Sequence, residues 1–208
     1  MTPFFMFFLS MLFLSASGCA DTCGNPEIKN YYCSNGKYYV KVYPLKTPTK
    51  YYKWMQASVR RKRKFKPADT LLVPCFAKLY KVKVDGDSLI WERQLSNRVA
   101  PQTSILSNDG RFLVTFDNWG SLGFGTDVMA YYNDKGELIE KHSLEDISPF
   151  PINNYKRTIS SIWWNCGTSF IDNERIQVCF RDANNLMARR SVDLINHTME
   201  KYNPLFPD

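Results

Sequence analysis

The chain has 208 residues, a formal charge of +7, 44% hydrophobic and 15% aromatic residues. That apolar share excludes a disordered chain, and the length suits one domain with a real core. Twelve Tyr and fourteen Phe favour strands over helices, so the expected class is all-β: antiparallel sheets with little helix.

At the N-terminus, Phe4 to Leu14 is apolar apart from Ser10, and small residues follow from Ser15 to Ala20. An apolar core before a small-residue patch reads as a secretory signal peptide over residues 1–18. The run is shorter than the ~20 residues that span a hydrocarbon layer. Two processing routes stay open. Ala16-Ser17-Gly18-Cys19 resembles a bacterial lipobox, with Ala16 where Leu is usual; Cys19 would then carry lipid and tether the protein. Cleavage after Ala20 would release it instead. A linker is expected over 19–30, then a single β-rich domain over 31–208 with a basic insertion at about 50–68.

Six cysteines stand at 19, 23, 33, 75, 166 and 179. In an exported protein they favour disulfides over metal. Cys166 and Cys179 flank an apparent strand pair and are one expected bridge. Cys33 and Cys75, each at a strand edge, are the second. Cys23 is left over, and other pairings stay open.

The basic run Arg60, Arg61, Lys62, Arg63, Lys64 and Lys66 reads either as a solvated loop or as a contact for anionic lipid or wall polymer. An exported protein meets those surfaces rather than nucleic acid, so no nucleic-acid partner is expected.

Strands are expected at 37–43, 76–84, 88–95, 111–117, 127–133, 137–143, 159–164, 175–180, 188–194 and 199–202. Turns at Asn35-Gly36, Asp85-Gly86, Asp109-Gly110 and Lys135-Gly136 punctuate them. Helix is expected only at 50–64 and, for one turn, at 144–148, where Pro149 and Pro151 end it. Ser34 to Tyr38 is echoed by Asn108 to Phe112 and, more loosely, by residues 172–175. Turn, strand and hairpin repeated in this way resemble β-propeller blades. Three such units do not close a ring, so an open stack, a ring closed by a second chain, or a β-sandwich is expected.

Residues 107–127 read SNDGRFLVTFDNWGSLGFGTD. With Asp134 to Leu138, Leu144 to Asp146 and Ser160 to Trp164, this stretch resembles a family of exported bacterial β-rich proteins. The resemblance covers about residues 75–180. It implies a secreted β-rich fold and no particular activity.

Within that stretch, Asp117, Asn118, Trp119, Gly123, Gly125 and Asp127 are the ligand-binding candidates. Two carboxylates and an amide around a glycine-rich loop could hold a hard cation, so Ca2+ is the one cofactor considered. The same residues also serve the ordinary chemistry of a long hairpin. No catalytic residue is assigned: the only histidines, His142 and His197, lie near turns, and no nucleophile motif occurs. The expected function is a non-enzymatic binding or scaffolding module at the cell envelope, with an unknown protein or envelope polymer as partner. The rivals are a polysaccharide or peptidoglycan hydrolase using Asp117 and Asp127, and an inhibitor or immunity-like protein.

Overall fold

The computed structural model describes residues 25–46 and 73–205. The fold is all-β, in four antiparallel sheets, none closed into a barrel. Two are four-stranded meanders and a third has five strands, and these three follow one another along the chain like propeller blades. Blade 1 contains β1 (Lys29–Tyr32), β2 (Tyr38–Tyr43), β3 (Phe76–Lys81) and β4 (Ser88–Gln94). Blade 2 contains β5 (Pro101–Leu106), β6 (Leu113–Asn118), β7 (Met129–Tyr132) and β8 (Leu138–His142). A short α1 (Leu144–Ile147) follows, then a two-stranded ribbon of β9 (Lys156–Arg157) and β10 (Ile162–Trp163). Blade 3 contains β11 (Asn165–Phe170), β12 (Arg175–Arg181), β13 (Met187–Asp193) and β14 (Thr198–Met199), with β15 (Asn203–Leu205) also pairing β13.

Alternation in the middle blade explains how the blades stack. Leu113, Ala130 and Tyr132 join Val40, Val42, Ala77, Leu79 and Trp91 in a core between blades 1 and 2. Their neighbours Val114, Phe116, Met129 and Tyr131 join Ile176, Val178, Phe180 and Val192 in a second core between blades 2 and 3. Successive strand residues point to opposite faces, so a strand buried on both faces reads as one apolar run, as LVTF and MAYY do. Blades 1 and 3 bury one face each.

The repeat is literal at the turns. Asn35 Oδ1 accepts from Lys37 N, as Asp109 Oδ1 accepts from Arg111 N and Asp172 Oδ1 from Glu174 N. The turns also touch: Asn35 N donates to Asn108 Oδ1 at 3.0 Å, and Arg111 pairs with Glu174 at 2.9 Å. Helix α1 begins where Ser143 N donates to Asp146 Oδ2 in a capping box.

Cys166 and Cys179 form a disulfide. Cys166 sits at the irregularity between Asn165 and Gly167, opposite Cys179. The expected Cys33–Cys75 bridge is absent, and both are buried free thiols. Sheet register forbids it. Cys33 N donates to Tyr38 O, and Tyr38 pairs with Lys81, whereas Cys75 precedes Phe76 at the opposite end of β3. Six residues of strand separate the two levels by about 20 Å, and a disulfide needs Cα atoms within about 7 Å. Cys19, Cys23, the signal segment and the basic run at Arg60 to Lys66 lie outside the described residues, as does the expected helix at 50–64. Strand β1 begins at Lys29, inside the expected linker.

Candidate functional site

The glycine-rich loop grows out of the end of β6. Val114 and Phe116 face blade 3, so Asp117 would ordinarily point toward blade 1. A positive φ of 55° at Asp117 re-aims it. Its carboxylate accepts from Gly123 N at 2.6 Å and from Trp164 Nε1 at 3.1 Å. The residue is only 4% exposed. Burial pushes its pKa up to about 6, against the opposing pull of the Gly123 and Trp164 donors.

Gly123 is required by space as well as by its φ of 70°: a Cβ there would lie 2.7 Å from Ile162 Cβ. Ile162 N donates to Leu122 O, so the loop is clamped to β10 and thereby to the entry of blade 3. Gly125 has φ 91° in open space, which is turn geometry alone. Asn118 Oδ1 accepts from Arg98 N at 3.0 Å and from Asn97 Nδ2 at 3.4 Å. Trp119 N donates to Ala100 O, and Lys29 Nζ stands 5.3 Å over the Trp119 ring. Lys141 Nζ lies 3.2 Å from Asp127 Oδ1, an ion-pair distance without hydrogen-bond alignment.

The six candidates therefore fall in one loop, and their polar groups face the protein. Acid–base hydrolysis needs two carboxylates across an open cleft. Asp117 instead spends both oxygens on Trp164 and Gly123, and Asp127 Oδ1 sits at ion-pair distance from Lys141. A calcium ion at Asp127 would have to displace the Lys141 ammonium. Among the described residues, no three His, Cys, Asp or Glu side chains are grouped to hold a metal ion.

A constellation the sequence did not announce lies between blades 2 and 3. Tyr131 OH donates to Glu140 Oε2 and lies 3.0 Å from His197 Nδ1. Both histidine rings flank the Tyr131 ring, with centroids 6.2 and 6.0 Å away. His142 Nε2 is 3.5 Å from Glu140 Oε2. Burial, then Glu140, holds the Tyr131 phenol far above its usual range. Glu140 and His142 share one face of β8, a period-two signal visible in sequence; that Tyr131 pairs with Glu140 and that His197 arrives from blade 3 required the register. Through His197 the group makes a polar cross-link between blades 2 and 3.

The outer face of blade 1 is different in kind. Register sets Tyr32, Tyr39, Tyr80 and Leu89 in one row across all four strands. Tyr39 and Tyr80 stack at 5.0 Å, and Tyr43 stacks on Phe76 at 4.5 Å. Between the rows Lys78 pairs with Glu92, and Lys41 and Lys78 lie within 6 Å of the Tyr43 ring. Tyr32 is 61% exposed. Beside this face an apolar cleft of about 480 Å3 is lined by Pro26, Ile28, Tyr43, Leu45, Val73 and Phe76.

Fold and site together define an open, three-bladed all-β stack with no assembled catalytic pair among the described residues. No protein-family model and no curated protein matches the chain.

Proposed function

We propose that this protein is an exported, non-enzymatic binding or scaffolding module of the cell envelope, held there through lipid on Cys19 or released after cleavage. The observation that carries the reading is the outer face of blade 1. Stacked tyrosines and interleaved lysines stand in solvent there, while both faces of blade 2 are covered. Aromatic surface with positive charge between the rings suits an envelope polymer or protein partner. The outer face of blade 3 carries Arg181 and Arg189. Ring closure by a second copy would thus set arginines against lysines, which disfavours it. Support for export comes from the apolar N-terminus, the Cys166–Cys179 disulfide and the likeness of residues 107–127 to exported bacterial proteins.

The test has two arms. Intact mass of protein recovered from the envelope should show acylated Cys19 or a start at Asp21. Purified protein should co-sediment with washed envelope, and the triple variant Tyr32→Ser, Tyr39→Ser, Tyr80→Ser should lose at least about tenfold in that binding. Recovery from the cytosol with Met1 and freely alkylated cysteines, or envelope binding untouched by the triple variant, overturns the reading.

A further inference from the structure

Strands β1, β5 and β11 are the first strands of the three blades, and each is an edge strand of its sheet. β5 lies against both of the others. Where the three meet, a cleft of about 380 Å3 opens, a volume in the range of small-molecule sites. Asn30 and Tyr32 come from blade 1, Ser104 and Leu106 from blade 2, Thr168 and Phe170 from blade 3. None of the lining side chains carries a formal charge.

Ser104 makes this more than a gap between sheets. It is 4% exposed, and its Oγ has no hydrogen-bond partner in the protein. A buried hydroxyl without a partner is uncommon in folded proteins and asks for one. Edge strands add backbone N–H and C=O groups that no neighbouring strand of the sheet pairs.

The geometry points to this axial cleft as a binding subsite for a short neutral saccharide. Neutral hydroxyls and amides from Asn30, Ser104 and Thr168 match a ligand that donates and accepts at every position. Phe170 and Tyr32 supply rings on which the apolar face of a sugar stacks. An anionic ligand finds no cation in the wall. An extended peptide adds to one long free edge, whereas here each edge offers a stretch of about three residues and the three converge. The subsite shares Tyr32 with the tyrosine row of blade 1 but takes Ser104 and Thr168 from blades 2 and 3, so Ser104→Ala probes it without touching any residue of the envelope-binding test.

The experiment is titration of the processed protein with cellotriose and with chitotriose, followed residue by residue through amide NMR shifts. A triuronate and a neutral hexapeptide serve as comparison ligands. Saturable shifts should concentrate at residues 30–32, 104–106 and 168–170. Ser104→Ala removes a hydroxyl that bonds nothing in the protein, so the fold should hold while saccharide affinity falls about fivefold or more. Ser169→Trp, at an exposed position on the cleft wall, should abolish binding by filling the space. The proposal is overturned if neither saccharide saturates by about 20 mM, a limit weaker than any specific site. Shifts confined to the face of Tyr39 and Tyr80, hexapeptide binding without saccharide binding, or affinity unchanged in Ser104→Ala overturn it equally. Should Ser169→Trp fail to fold, Ser104→Ala decides alone.

Discussion

Cys33 occupies in blade 1 the place that Ser107 occupies in blade 2. Ser107 Oγ donates to Asp109 Oδ1 at 2.7 Å and accepts from Phe112 N at 3.0 Å. Cys33 Sγ donates to Asn35 Oδ1 at 3.1 Å and accepts from Tyr38 N at 3.2 Å. The backbone bonds match as well: Cys33 N to Tyr38 O, and Ser107 N to Phe112 O. The thiol is doing a hydroxyl's work in a turn, which is why it stands apart from disulfide chemistry.

Cys33→Ser should therefore leave stability within about 1 kcal/mol of the parent, since oxygen makes the same two bonds. Cys33→Val keeps the bulk but leaves Asn35 Oδ1 and Tyr38 N one partner short, at a cost of about 1–3 kcal/mol. Urea denaturation of both variants checks this. A large loss in Cys33→Ser would refute the equivalence of the two turns.

Asp117 predicts a pH dependence. Burial raises its folded pKa from 3.8 to about 6, so the folded state holds the proton more tightly than the unfolded chain does. The stability from this group is then complete below about pH 4 and is lost as pH rises through about 6, by about 3 kcal/mol in all. Asp117→Asn cannot titrate. The parent-minus-variant difference in unfolding free energy should fall from pH 4 to pH 7 and then level. A flat difference would show that the Trp164 and Gly123 donors cancel burial, and a rising one that they outweigh it.

Gly123 and Gly125 share a positive φ but not their surroundings. Gly125→Ala meets open space and pays only backbone strain, about 1 kcal/mol. Gly123→Ala also drives a methyl into Ile162 Cβ at 2.7 Å, so its cost should exceed that of Gly125→Ala by about 1–3 kcal/mol. Thermal melts of the two variants side by side test the ranking. Equal losses would mean that the loop is not clamped to β10.

The Cys166–Cys179 bridge spans 13 residues of sequence within one hairpin of blade 3. A closed loop of that size stabilises by about 3 kcal/mol in the chain-entropy account. Reduction, or a double Cys→Ser variant, should lower the melting midpoint without unfolding blades 1 and 2. Free-thiol labelling of the unreduced protein in denaturant should then report Cys33 and Cys75 as alkylated and Cys166 and Cys179 as protected.

Much of the blade pattern was legible in the sequence. Alternation and Asx-Gly turns located β2, β3, β4, β6, β7, β8, β12 and β13, because those strands bury at least one apolar face and their turns need particular residues. The first strand of every blade escaped. Lys29 to Tyr32, Pro101 to Leu106 and Asn165 to Phe170 are short, polar or interrupted by Pro and Gly, and as edge strands they alternate weakly. Ile159 to Trp164, expected as a long strand, keeps only two strand residues at β10. The loop from Asp117 to Asp127 was located correctly, but where its carboxylates point was decided by a single positive φ that composition does not encode.

The linear chain by itself determined the class of fold, the turn chemistry and the pairing of Cys166 with Cys179, since each depends on residues near one another in sequence. Only the tertiary arrangement decided that Cys33 and Cys75 lie at opposite ends of a blade, that two distant histidines flank one tyrosine, and that three unremarkable strands meet around Ser104. Those outcomes rest on register and on the stacking of whole sheets, where contacts between residues far apart in the chain set the geometry that local pattern leaves open.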